Sequence, residues 1–319
     1  TLGLMADSET VDLSVAPLPS DLTAAPPSEE VWLNERMLTV RRMAEGGTPT
    51  VMIHGLGGSS LNWTDLALAF RGRLDSWAVD LPGFGASPPP RDGDYTPAGH
   101  ARAVLELITE RIGRPVHVFG NSMGGAIAVQ LAARAPQWVR SLTLISPALP
   151  GGRIKKSNMH LPVIAVPGVG ERVLRRYLQV SPELRARATI DLCFADASRM
   201  HPDRMAEAVT EVRRRDTYPY TADAFVQSTR GLMASLVARG PQRPAELMTN
   251  IHRPVLLVYG RKDALVDPAG GYKIASHLPD ARVVVIPDSG HVAQMEHPEL
   301  VAAAWRDLIG SRSGAVPSR

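Results

Sequence analysis

Cysteine is almost absent: Cys193 is the only one among 319 residues. A single thiol excludes an intramolecular disulfide and any zinc cluster built on cysteines, and it fits a reducing compartment. Long apolar runs are missing as well. None approaches the roughly 18–20 residues of a membrane span, although 44% of the chain is hydrophobic. There is no internal repeat, no phosphate-binding P-loop, no His-Glu-x-x-His zinc pair and no EF-hand pattern, so neither a metal nor a cofactor is expected. Charge of one sign is not in excess, with 35 Lys and Arg against 32 Asp and Glu. Basic runs such as Arg213-Arg214-Arg215 and Arg153–Lys156 lack interleaved aromatics and read as solvated helix faces, so no nucleic-acid partner is expected. No charged-then-apolar signal segment opens the sequence. Cytoplasmic placement is the expectation, a removed leader the alternative.

What is present is an alternation. The Pro-, Ser- and acid-rich residues 1–28 read as a tail without a core, and 311–319 as a flexible end. "VWLN" and "MLTVRRM" suggest an opening pair of strands. Short apolar runs follow: "TPTVMIHG", "DSWAVDLPG", "RPVHVFGNS", "RSLTLISPA", "RPVLLVYGRKD" and "ARVVVIPDSG". Each has the length of a buried strand. Helical patterns separate several of them, over 61–70, 98–112, 126–134, 271–277 and 299–308. Strand and helix alternating at this rate predict an α/β class with a mostly parallel sheet covered on both faces. Between residues 150 and 243 the strand signal disappears and only helical patterns remain, so this stretch is expected to be a cap inserted between core segments 29–149 and 244–310.

Gly120-Asn121-Ser122-Met123-Gly124 sits between an apolar strand and an alanine-rich helix. A nucleophile held on a tight strand-to-helix turn needs small flanking residues, because the turn brings backbones together. Taken alone the stretch also fits a helix-capping serine with close packing of Gly124 and Gly125. Partners decide between the two. A serine nucleophile needs a base, and His291 follows the last apolar run. His54, near a glycine-rich loop, is assigned to loop support and His117 to the core. His297, before Pro298, is assigned to capping, and His100, His160, His201, His252 and His277 to surface or packing roles. The base needs a carboxylate, and Asp263 lies just beyond the preceding run, whereas Asp267 before Pro268 reads as a helix cap. An oxyanion needs preorganised donors; the candidates are the backbone N–H groups of Met123 and of Leu56 in His54-Gly55-Leu56-Gly57-Gly58. The stretch "GLGGSS" approaches a dinucleotide fingerprint, but Ser60 stands where the third glycine belongs, which argues against a cofactor.

In this order "HGLGGSS", "DLPGFGAS", "GNSMGG", "GRKDALVDP" and "SGHVAQMEHPE" resemble the α/β-hydrolase superfamily from about Val31 to Ile309, specifically its lid-bearing esterases, lipases and carbon–carbon bond hydrolases. The resemblance implies a Ser122–His291–Asp263 triad, and Ser122 excludes the branches that use an aspartate nucleophile. A carboxylate after the sixth strand, near "LISPALP", is absent, which favours Asp263. The expected activity is cofactor-independent hydrolysis of a small carboxylic ester with an apolar portion, of the carboxylesterase or lipase type. Hydrolysis of ring-fission diketo acids is the alternative. Two departures count against it: Val292 where that branch typically has tryptophan, and Leu-Gly-Gly-Ser in the oxyanion loop. It also requires a cap arginine for the substrate carboxylate, for which Arg213–Arg215 and Arg187 are candidates. A ligand-binding protein without turnover is the third reading. Substrate and oligomeric state are not readable.

Overall fold

A computed structural model describes residues 24–153, 155–158 and 161–313. Most of the N-terminal tail, the last six residues and His160 lie outside them.

Among the described residues eight strands form one sheet in the spatial order β1-β2-β4-β3-β5-β6-β7-β8. The opening strands β1 (Glu29–Trp32) and β2 (Met37–Ala44) pair antiparallel, and β2 runs antiparallel to β4 (Leu74–Val79). All later pairings are parallel: β3 (Thr48–Ile53) with β4 and with β5 (Val116–Asn121), then β6 (Val139–Ile145), β7 (Val255–Gly260) and β8 (Ala281–Ile286) in sequence. Every residue of β4, β5 and β7 is buried. That explains why β7 is apolar throughout and why β4 and β5 show no regular polar alternation, since both faces are covered. Their few polar side chains (Asp75, Ser76, His117, Asn121) are buried too.

Helices supply the two covers. On one face α2 (Pro97–Glu106), α3 (Met123–Arg134), α9 (Pro244–Thr249) and α10 (Gly270–Ala275) contribute to a core with Val51, Val118 and Leu257. On the other, α1 (Thr64–Ala69) and α12 (Pro298–Ser313) pack around Trp63, Phe70, Phe119 and Trp305. The expected helix over 61–70 starts later, at Thr64, because Ser60–Trp63 forms a tighter 3-10 turn.

Between β6 and β7 the described residues hold only helices: α4 (Leu161–Ala165), α5 (Val169–Tyr177), α6 (Pro182–Cys193), α7 (Pro202–Asp216), α8 (Thr221–Leu236) and then α9. α4, α5 and α8 share a small core of Ile164, Leu174, Ala222 and Val226. Ile190 and Phe194, from α6 and its end, pack instead on Val292, next to the candidate base.

The chain leaves β3 for β4 on one side, then returns to place β5 on the other. This reversal is a topological switch point, and the crevice beyond the carboxyl ends of β3 and β5 is where ligands bind in such sheets. His54 follows β3, and Ser122 follows β5.

Candidate active site

Ser122 has φ 53° and ψ −115°, outside the regions open to ordinary L-residues. Such a conformation costs on the order of 1–3 kcal/mol and persists only when its surroundings over-determine it. Here they do. The Ser122 N–H donates to Ile145 O at 3.0 Å, and its carbonyl accepts the N–H groups of Gly125, Ala126 and Ala148. Asn121 Nδ2 donates to Ile145 O (3.1 Å) and His291 O (3.0 Å), tying the turn to the loop after β8. Glycine is required by proximity: a Cβ on Gly120 would lie 2.4 Å from Gly124 O, and one on Gly124 would lie 2.1 Å from Ile53 O. Both are collisions with backbone, which cannot yield as a flexible side chain can. Gly125 abuts Pro147. The Ser122 side chain forms no cap hydrogen bond on α3, so the helix-cap reading has no geometric support.

His291 and Asp263 are brought together. His291 Nδ1 and Asp263 Oδ2 are 3.0 Å apart, both residues buried. Asp263 Oδ1 accepts the N–H groups of Leu265 (2.7 Å) and Val266 (2.9 Å). Burial pushes the Asp263 carboxyl up, but the His291 ring and the Val266 N–H outweigh it, and its pKa lies below the ordinary value. An ionised Asp263 at Nδ1 holds a proton there and leaves Nε2 as the free acceptor of the ring. Asp267, expected to cap the next helix, instead precedes the N-cap position of α10, Ala269. It accepts the Ala269 N–H at 3.1 Å and the Arg153 N–H at 3.0 Å in the turn before that helix.

The loop after β3 abuts the serine, with a Cβ on Gly55 falling 3.2 Å from Ser122 Cβ. His54 is fully buried; its Nε2 accepts the Leu81 N–H at 3.1 Å, so Nδ1 carries the proton and donates to Gly55 O at 2.7 Å. Burial lowers its pKa to about 4, keeping it neutral. Gly57 turns with φ 73° beneath Phe225 of α8. Half-buried Leu56 lies in this loop. Met123 begins α3, where a first-turn N–H has no partner within the helix and the dipole favours negative charge.

Two residues that the sequence did not single out complete the surroundings. Glu296, buried on α11 (Ala293–Glu296), accepts the Gly290 N–H at 2.6 Å and the Ser289 hydroxyl at 3.3 Å through Oε2. Through Oε1 it accepts the N–H groups of Ala195 and Asp196, each at 2.9 Å. His291 N–H itself donates to Cys193 O at 2.6 Å. Arg215, read both as part of a solvated face and, with its neighbours, as a candidate cap arginine, is turned inward: its guanidinium donates to Gly57 O, and Glu211 stands at 3.7 Å. Burial pulls its pKa down, with Glu211 and Asp80 pulling the other way. Arg213 pairs with Glu183 and Arg214 with Glu211, and Arg187 is exposed. Asp80, just after β4, accepts the Ser60 N–H at 2.7 Å and the Ala86 N–H at 2.9 Å. It links the two loops that flank β4.

The parallel sheet and the strained serine at its switch point define a hydrolase-type α/β architecture. The chain belongs to the α/β hydrolase fold family, which it matches over residues 48–298. It is 30% identical over 292 residues to a dihydrolipoyllysine-residue acetyltransferase component of an acetoin cleaving system from Pseudomonas putida, covering 88% of this chain and 69% of that one. It is 27% identical over 284 residues to a pimeloyl-acyl-carrier-protein methyl ester esterase from Neisseria meningitidis, covering 84% of this chain and 96% of the esterase. A 2-hydroxy-6-oxo-6-phenylhexa-2,4-dienoate hydrolase from Rhodococcus shares the fold with a TM-score of 0.69 at 22% identity, over 89% of this chain and all of that one (100%). Among the described residues no helix is long and apolar enough to cross a membrane, and no cluster of metal-ligating side chains occurs.

Proposed function

We propose that this chain is a serine hydrolase of carboxylic esters that works without a cofactor. The observations that carry the reading are the strained Ser122, whose neighbour Asn121 bonds the His291 carbonyl, and the buried His291–Asp263 pair. His291 Nε2 takes the proton of Ser122 as its Oγ attacks the ester carbonyl, and Asp263 stabilises the imidazolium formed. The N–H groups of Leu56 and Met123 receive the oxyanion. His291 returns the proton to the departing alcohol, then activates the water that cleaves the acyl-enzyme. The methyl ester esterase among the relatives supports an ester as substrate. Residues 150–243 act as a cap over core segments 29–149 and 244–310, and Phe225 above Gly57 supports that placement. Turnover of a short p-nitrophenyl ester, abolished by Ser122→Ala, tests the assignment; turnover indifferent to that change refutes it.

One observation favours a second reading, hydrolysis of a carbon–carbon bond in a diketo acid. Arg215 is the cap arginine turned toward the oxyanion loop, where a substrate carboxylate would find a cation. The ratio of kcat/KM on ring-fission diketo acids to that on simple esters separates the two.

A further inference from the structure

Among the described residues eleven large hydrophobic side chains are exposed, and seven of them fall between residues 163 and 184. α5 organises them. Its inward side, Gly170 and Leu174, is buried, with Leu174 in the small core it shares with α4 and α8. Its outward side should then be polar. Instead Val169, Val173 and Tyr177, spaced four residues apart along one face, are 40%, 45% and 42% exposed. Val163 and Val166, before the helix in the chain, and Val180 and Leu184, after it, are exposed as well.

Charge is arranged around this face with one sign. Arg172, Arg175 and Arg176 are exposed on α5. The only acidic residues between 163 and 184 are Glu171 and Glu183, and both are bound by arginines from elsewhere. Arg230 lies 2.8 Å from Glu171, which also caps the Gly168 N–H, and Arg213 pairs with Glu183. The face therefore presents free cations interleaved with small aliphatic side chains.

The geometry points to this face as a docking surface for an anionic lipid bilayer. Aliphatic side chains enter the headgroup–acyl boundary, arginines reach back to lipid phosphates, and a tyrosine sits at headgroup level. A protein partner is less well matched, because the apolar contribution comes mostly from valines, with one tyrosine and no tryptophan to serve as a large buried anchor. The position has a consequence for access. α5 packs on α8, and α8 carries Phe225 over Gly57, so a docked bilayer lies one helix away from the candidate site. This inference stands apart from the ester reading, since binding needs no turnover.

Co-sedimentation of the full chain with vesicles of phosphatidylcholine, alone or with about one third phosphatidylglycerol, is the test. Wild type pellets with the anionic vesicles in preference to the neutral ones. The double variants Val173→Asp/Leu184→Asp and Arg172→Gln/Arg176→Gln each lose at least about tenfold in partitioning. Their thermal midpoints stay at the wild-type value, because all four side chains are exposed. Wild type that ignores anionic vesicles overturns the proposal. So does an aspartate variant that binds as wild type does, which reduces the effect to charge attraction and admits an acidic protein as partner. A concentration-dependent dimer that the aspartate variant dissociates, without vesicle binding, assigns the face to a second copy and also overturns it.

Discussion

Glu296 Oε2 accepts the Gly290 N–H at 2.6 Å, one residue before the candidate base, while its other oxygen receives the Ala195 and Asp196 N–H groups. One buried carboxylate thus joins the end of α6 to the histidine loop. Glu296→Ala strands the buried Gly290 and Ser289 donors and the part-buried Ala195 and Asp196 N–H groups, at a cost on the order of 2–5 kcal/mol. Glu296→Gln keeps one acceptor oxygen and is milder. The expected result is a kcat loss of roughly tenfold or more with KM little changed in the glutamine variant, and a lowered thermal midpoint in the alanine variant. Wild-type kcat in a folded glutamine variant contradicts a positioning role.

Asp263→Asn keeps shape and removes charge. Without the carboxylate, the Nδ1–H tautomer of His291 loses its preference and the imidazolium its counter-ion. Steady-state kinetics on a p-nitrophenyl ester are expected to show kcat reduced roughly a thousandfold or more, with KM within a few fold. An equal loss carried by KM argues for a binding role instead.

Arg215 tests the choice between substrates. Arg215→Lys retains a cation but not the guanidinium fork, and Arg215→Ala removes both. If esters are the substrates, the alanine change lowers kcat through a looser oxyanion loop by about tenfold. If a substrate carboxylate is recognised, KM for diketo acids rises at least about tenfold in alanine and is partly restored by lysine.

Acid sensitivity follows from buried neutral histidines. Burial lowers the pKa of His54 to about 4, of His100 to about 3 and of His117 to about 4, from an ordinary 6.5. Below pH 6.5 the unfolded chain takes up protons that the folded chain refuses, so stability falls as pH drops from 6.5 toward 4. Asp263, held below 3.8, adds its loss only at still lower pH. Thermal midpoints across this range should decline, and His117→Gln, far from Ser122 and edge-on to Trp305, should flatten the slope. An unchanged slope removes His117 from the account.

Much of this was legible in sequence, for identifiable reasons. β4, β5 and β7 are covered on both faces, so their runs are mostly apolar, β7 wholly so, and stand out. Ser122, Asp263 and His291 each follow a strand, and the parallel topology gathers strand ends at one edge. Glu296 was not legible, because its partners are mostly backbone N–H groups, two of them 100 and 101 residues away, which no side-chain pattern announces. Arg215 was named only as one of several candidate cap arginines, with no signal to separate it from the rest. Its run of three arginines looked uniform, yet only one of them meets a carbonyl 158 residues away. His100 read as a surface or packing residue; it is wholly buried, with Nε2 3.3 Å from Ser228 Oγ. The outward valines of α5 escaped notice because a helical apolar pattern looks the same whether its second face is covered or bare.

The central claim is that Ser122 is an activated nucleophile, and labelling by a fluorophosphonate tests it most directly. Intact-mass analysis is expected to show rapid addition of one phosphonyl group, mapped to Ser122, in wild type, markedly slowed in His291→Ala and absent in Ser122→Ala. Wild type left unmodified, or labelled equally well after Ser122→Ala, would contradict the account.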